Sequence, residues 1–279
     1  MSLLNLSVGM IRSHPIILLP FSTVAFLHLF IIEIFYFSPR YPLKVFFDPL
    51  IRKLWGESYL HYPANFLILP QLFYSCQIVL FIFVTGLFIG WAVKIIEAVE
   101  QKRKLQLGRL LMGLLPSYIH ILVASVLSFL VFRALIKSYE LLLLKLNTFG
   151  SGSQTLSVVY KIMLEAGPYV SVLFGAIVII LFAFVIPLIA LEKKKIHQAL
   201  LGHFRLLFSS WGLISRTVLI PTFIYLPVVL LRENSLAIGA GSLPEFRVVL
   251  LAFGVVIVLM IDAVVYTAVT NFILGEKKE

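Results

Sequence analysis

Long apolar runs separated by short charged turns set the pattern of this chain. Six runs, at about residues 15–37, 70–93, 110–136, 168–191, 212–231 and 246–274, each approach or exceed the roughly 20 residues that carry a helix across a hydrocarbon core. Between the fourth and fifth runs the pattern changes. There Ile196, Ala199, Leu200, His203, Phe204, Leu207, Phe208 and Trp211 recur at i, i+3, i+4 and i+7, while Gln198, Gly202, Arg205 and Ser209 take the other side. Apolar groups facing lipid and cations beside headgroups describe a helix lying in the membrane interface. The spacing predicts an elbow helix over residues 194–210, with Lys193, Lys194, Lys195, Arg205 and Trp211 as its contacts with headgroups or a partner.

Two shorter stretches have the same character. Leu3, Leu6, Met10 and Arg12 suggest an interfacial helix before the first span. Asp48-Pro49 pairs an N-cap residue with a first-turn proline. Around it, Phe46, Phe47, Leu50, Ile51, Leu54 and Trp55 line up against Arg52, Lys53 and Glu57. The third run has no clear end: Tyr139, Leu142, Leu143 and Leu146 continue its helical spacing, and Gly150 to Ser153 supplies the break. In the fifth run Pro221 and Pro227 remove two backbone donors, which predicts a kink. A Gly-rich turn over Ile238 to Pro244 leads into the sixth. The second-to-third and fourth-to-fifth runs share an outline of span, glutamate, basic cluster and apolar periodicity, as a parallel duplication would.

Composition supports one membrane domain over residues 1–279. Hydrophobic residues make up 61% of the chain and charged residues 13%, against about 25% charged in a soluble domain. The fold class expected is therefore all-α, a polytopic transmembrane bundle of about six spans with interfacial elbow helices. Net charge is +10, but the cations lie mostly between spans, so headgroups and topology explain them and no nucleic-acid partner is inferred. Lys102, Arg103, Lys104 and Arg109 in one short connection, and Lys193, Lys194, Lys195 and Arg205 in another, place those turns and both termini in the cytoplasm of a bacterial inner membrane. Cys76 is the single cysteine, which leaves no disulfide or Cys-based metal site within the chain.

Asp262 is the most informative single residue, because a carboxylate inside a span is costly. Tyr266 and Thr270 follow at i+4 and i+8 on the same face, and His120 and Arg216 are read as reaching a similar depth. The group is either a proton or ion site or a polar contact that fixes helix packing. Gly86 and Gly90 let a second helix approach closely, from within this chain or from another subunit, a second copy included. Metalloprotease, serine-hydrolase and P-loop motifs are missing, so no catalytic, cofactor or metal residues are assigned and no enzyme is expected.

Pro187, Glu192, Ala199-Leu200 and Trp211 form a sequence of span, glutamate, amphipathic helix, tryptophan and span. Over about 45 residues this resembles bacterial six-helix membrane proteins of the YciC-like group and the membrane domain found beside some glycerophosphodiester phosphodiesterases. The resemblance implies six spans with interfacial elbows and no activity that could be carried to named residues; His203 stands where that group often has serine. The functional expectation is a non-enzymatic accessory or scaffolding subunit of a larger membrane assembly, with membrane lipids and other membrane subunits as partners. The alternative is a permease-type component for a lipid or small solute, coupled through the elbow to a separate ATPase.

Overall fold

The computed structural model describes residues 3–37, 41–54, 56–61, 64–150, 154–234 and 246–276. Trp55, Ser151 to Ser153, Ile238 to Pro244, and the Lys277-Lys278 pair lie outside the described residues. The chain is an all-α integral membrane protein with six helical stretches long and apolar enough to cross a bilayer. Over the described residues its α-helices are α1 (Leu3–Ser13), α2 (Leu18–Phe37), α3 (Leu43–Leu54), α4 (Ala64–Leu80), α5 (Gly86–Glu100), α6 (Leu107–Met112), α7 (Tyr118–Gly150), α8 (Gln154–Phe182), α9 (Val185–Glu192), α10 (Ile196–Phe223), α11 (Leu226–Glu233) and α12 (Phe246–Glu276).

Local chemistry explains where several spans bend. Pro187 cannot tolerate a helical carbonyl four residues back, and the fourth span turns at Ala183 and Phe184 before α9 resumes. Pro221 and Pro227 bracket the break at Ile224 and Tyr225, where the ladder shortens to i→i+3 bonds from Ile224 N to Pro221 O and from Tyr225 N to Thr222 O, both 3.0 Å. In the second span, α4 passes into α5 through a π-helical turn at Phe81–Thr85. The Tyr118 hydroxyl donates to the Phe83 carbonyl in that turn at 2.8 Å.

Three elbows, bends at which a short helical segment turns into a span, lie on one side of the bundle. Pro15–Ile17 and Leu115–Ser117 form 3-10 turns that redirect the chain from α1 into α2 and from α6 into α7. In α10 the same change of direction falls at Ser210, with φ −123° and ψ 20°, where the Ser210 hydroxyl donates to the Leu206 carbonyl at 2.6 Å. Element order thus extends the two-hairpin likeness to three units, each an elbow followed by two spans. Each elbow docks on an even-numbered span: α6 on α5, the first half of α10 on α9, and α1 on α12.

The second and fourth spans end in similar turns. Gln101 ends α5, and Arg103 N donates to Ala98 O at 2.8 Å while Lys102 N donates to Val99 O at 3.0 Å. This is a Schellman closure with Lys102, at φ 51°, in the left-handed position usually given to glycine. Lys193 holds φ 53° at the end of α9.

The core forms where the elbow-side halves of the even spans converge. Ala92, Val93, Ile95 and Ile96 of α5 pack with Ala190 of α9 and Ala263 of α12, joined by Ile11 and Ile17 from the first unit. Phe184, Val185, Leu188 and Ile189 pack with Ala199, Leu207 and Ile214 of α10 and with Val265, Val269 and Ile273 of α12.

Candidate functional site

Towards the side away from the elbows, the helices separate around a partly open cavity of about 550 Å³. Its lining comes from α2, α4, the π turn, α5, α7, α8, α11 and α12 and is mostly aromatic and aliphatic, including Phe73, Phe88, Phe129 and Phe132. Two of its wall residues, Phe81 and Thr85, belong to the π turn, a distortion that often marks functional sites. Gly175 on α8 leaves wall space open, with nothing within 4 Å of where a β-carbon would stand.

Among the described residues, three charged side chains line the cavity: Arg133, Arg232 and Asp262. Arg232 stands at the end of α11. Its Nη1 donates to the Tyr74 hydroxyl at 2.6 Å, its Cζ lies 5.8 Å from the centre of that ring, and its Nε is 3.5 Å from a Glu233 oxygen. Arg133 is exposed. Asp262 sits sixteen residues into α12 and fourteen from its end, which at 1.5 Å per residue is about 20 Å or more from either terminus. No hydrogen bond or ion pair reaches its carboxyl from the described residues.

His28 and Ser128 on the wall are bonded to carbonyls of their own helices. His28 Nδ1 donates to the Val24 carbonyl at 2.9 Å, which fixes the tautomer, and the ring meets Phe73 edge-on at 6.1 Å. The Ser128 hydroxyl donates to the Ala124 carbonyl at 2.9 Å.

The polar group read from the sequence is not one constellation. Neither His120 nor Arg216 lines the cavity with Asp262. Arg216 is exposed on α10, and His120 is the third residue of α7. Helix α7 begins at Tyr118, and residues 107–112 form the separate short helix α6 within the same long apolar stretch. His120 is therefore near the start of α7, whereas Asp262 lies midway along α12. Tyr266 and Thr270 lie below Asp262 in the packed half of α12, where the Thr270 hydroxyl donates to the Tyr266 carbonyl at 2.6 Å. Gly86 and Gly90 pack within the chain against α7: a β-carbon on Gly86 would stand 2.5 Å from Ser125 Oγ and 2.9 Å from Ile121 Cγ2.

The chain matches no protein-family model, no curated protein and no solved structure.

The elbow of α10 divides its apolar stripe between protein and surroundings. Ala199, His203 and Leu207 are buried against the bundle, whereas Leu201, Phe204, Phe208 and Trp211 are exposed. Thus the inward part of the stripe is core and not lipid-facing, with the His203 ring between Phe184 and Phe204. The Leu181 carbonyl lies near that ring, but hydrogen-bond geometry is not met by either ring nitrogen. Lys193, Lys195 and Arg205 are exposed, and Lys194 pairs with Glu192. Among the described residues no three His, Cys, Asp or Glu side chains converge as a metal site. Sequence reasoning missed the cavity itself. Its only linear signal is that Asp262, His28, Gln77 and Arg133 interrupt four different apolar runs.

Proposed function

We propose that this protein is a membrane component that takes up an amphiphilic small solute between its helices, the permease-type reading of the sequence. The observation that supports it is the 550 Å³ cavity with an unpartnered carboxyl at mid-span, a size within the range of small-molecule sites. A bundle built only to hold neighbours together gains contacts by closing such a space. Polar groups near the outer end of an otherwise apolar wall suit a solute that enters from the bilayer and keeps its apolar part out of water.

The elbow side is proposed to be cytoplasmic in a bacterial inner membrane, because the basic clusters of the short turns lie there. The elbow face bearing Leu201, Phe208 and Trp211, 72%, 78% and 50% exposed, supports a second role as a contact for lipid or a neighbouring subunit, an energising ATPase included.

Native mass spectrometry of the full chain, extracted in mild detergent, tests the proposal. A small amphiphile should remain bound and be lost from Gly175→Phe, which fills the cavity from an open wall position. A folded chain that carries no solute, with stoichiometric partner subunits instead, would favour the accessory-subunit reading.

A further inference from the structure

Resting on that cavity reading, we infer that its deep end binds a lipophilic monocation, an alkyl- or aryl-substituted ammonium or phosphonium, whose charge pairs with the Asp262 carboxylate. Of the three charges that described residues place on the wall, Arg232 has Tyr74 and Glu233, and Arg133 is exposed. Asp262 is at mid-span and has no partner among the described residues. Unpaired charge is costly in a low-dielectric interior, and a cation brought into the adjoining space supplies what the protein does not.

The walls select the kind of cation. Phe73, Phe88, Phe129, Phe132 and Tyr225 present aromatic rings to the cavity, and ring faces attract a desolvated cation more strongly than they do in water. A hard metal ion is disfavoured by its need for six or more oxygen ligands, since Asp262 is the only carboxylate among the described lining residues. An anion that reached the same depth would meet a like charge in a medium that screens it poorly. The volume suits a drug-sized cation or a single-chain amphiphile. His28 does not compete for the role: its Nδ1–H is committed to Val24, leaving an acceptor nitrogen and no fixed charge.

Tetraphenylphosphonium and tetraphenylborate have nearly the same shape and opposite charge, so equilibrium dialysis of both against the full chain in detergent isolates the charge preference. The phosphonium should bind saturably and at least about tenfold more tightly than the borate. Asp262→Asn should remove that preference and Asp262→Glu retain most of it, with melting temperature checked for each. Gly175→Phe should weaken phosphonium binding without touching any charge. Tighter binding of the borate, phosphonium binding unchanged in a folded Asp262→Asn, or no saturable phosphonium binding by the folded wild type would each overturn the inference. If the co-purified solute persists while phosphonium does not bind, the cavity reading stands and the cation assignment alone fails.

Discussion

Replacing Gly86 by alanine adds one methyl group where α5 meets α7 and should destabilise the bundle. The new β-carbon would lie 2.5 Å from Ser125 Oγ and 2.9 Å from Ile121 Cγ2, inside any tolerable van der Waals distance. Both atoms are close to their own backbone, so neither can swing aside without moving α7 or changing rotamer. Overpacking of this kind costs about 1–3 kcal/mol. Against it stands the helix preference for alanine over glycine, worth up to about 1 kcal/mol. Two contacts under 3.0 Å place the steric cost in the upper part of that range, about 2–3 kcal/mol, so the net loss should be about 1–2 kcal/mol. Gly90→Ala is the internal control: its β-carbon would be 3.3 Å from Ile121 Cδ1 and 3.5 Å from Leu114 Cδ1, chain ends that can rotate at about 0.5–1.5 kcal/mol, so propensity nearly offsets strain. Ser125→Ala in the Gly86→Ala background removes the 2.5 Å contact and should recover part of the loss. Reversible unfolding in mixed micelles of dodecylmaltoside and SDS, followed by circular dichroism, gives the free energies. Equal stability of Gly86→Ala and wild type, or no recovery on adding Ser125→Ala, would refute close packing of these two helices.

Further variants probe the elbows and their turns. Trp91 Nε1 donates to the Leu107 carbonyl at 3.1 Å and ties α5 to its elbow; Trp91→Phe should cost about 0.5–1.5 kcal/mol in the same micelle titration, and no loss would mean that the bond does not hold the elbow. Lys102→Gly should stabilise by about 0.5–1 kcal/mol, because relief of a left-handed backbone is worth about 1–2 kcal/mol and the lost cation at a helix end about 0.3–1. Lys102→Ala is its comparison, expected to give no such gain. His203→Leu should raise the thermal midpoint in detergent, since it removes two buried nitrogens without hydrogen bonds while filling similar space among Phe184 and Phe204; a lowered midpoint would show that the ring has a polar role.

Much of the fold could be read before any coordinates because the bilayer imposes a simple rule on the sequence. Run length gave the six spans, and Pro221 and Pro227 gave the break between α10 and α11. The break between α6 and α7 was not legible. Leu107 to Leu115 is as apolar as the helix that follows, and hydropathy cannot distinguish a segment lying on the core from one crossing it. The same limit hid the split of the α10 stripe, since Leu207 and Phe208 are equally hydrophobic although one is buried and the other exposed. Asp262 drew attention from sequence alone, but its surroundings depend on residues from seven other stretches of chain. Nothing in Phe81 to Thr85 announces a π turn, which forms as the second span packs beside α7.

The docking of α1 on α12 has a topological consequence. That contact, made without a covalent turn, is the counterpart of the seams where α5 runs into α6 and α9 into α10. The three units close a ring, and the chain's covalent order is one of several ways of threading it. A permuted gene that joins the present ends by a linker and opens at the exposed turn between Arg103 and Leu105 should therefore insert and assemble into the same bundle.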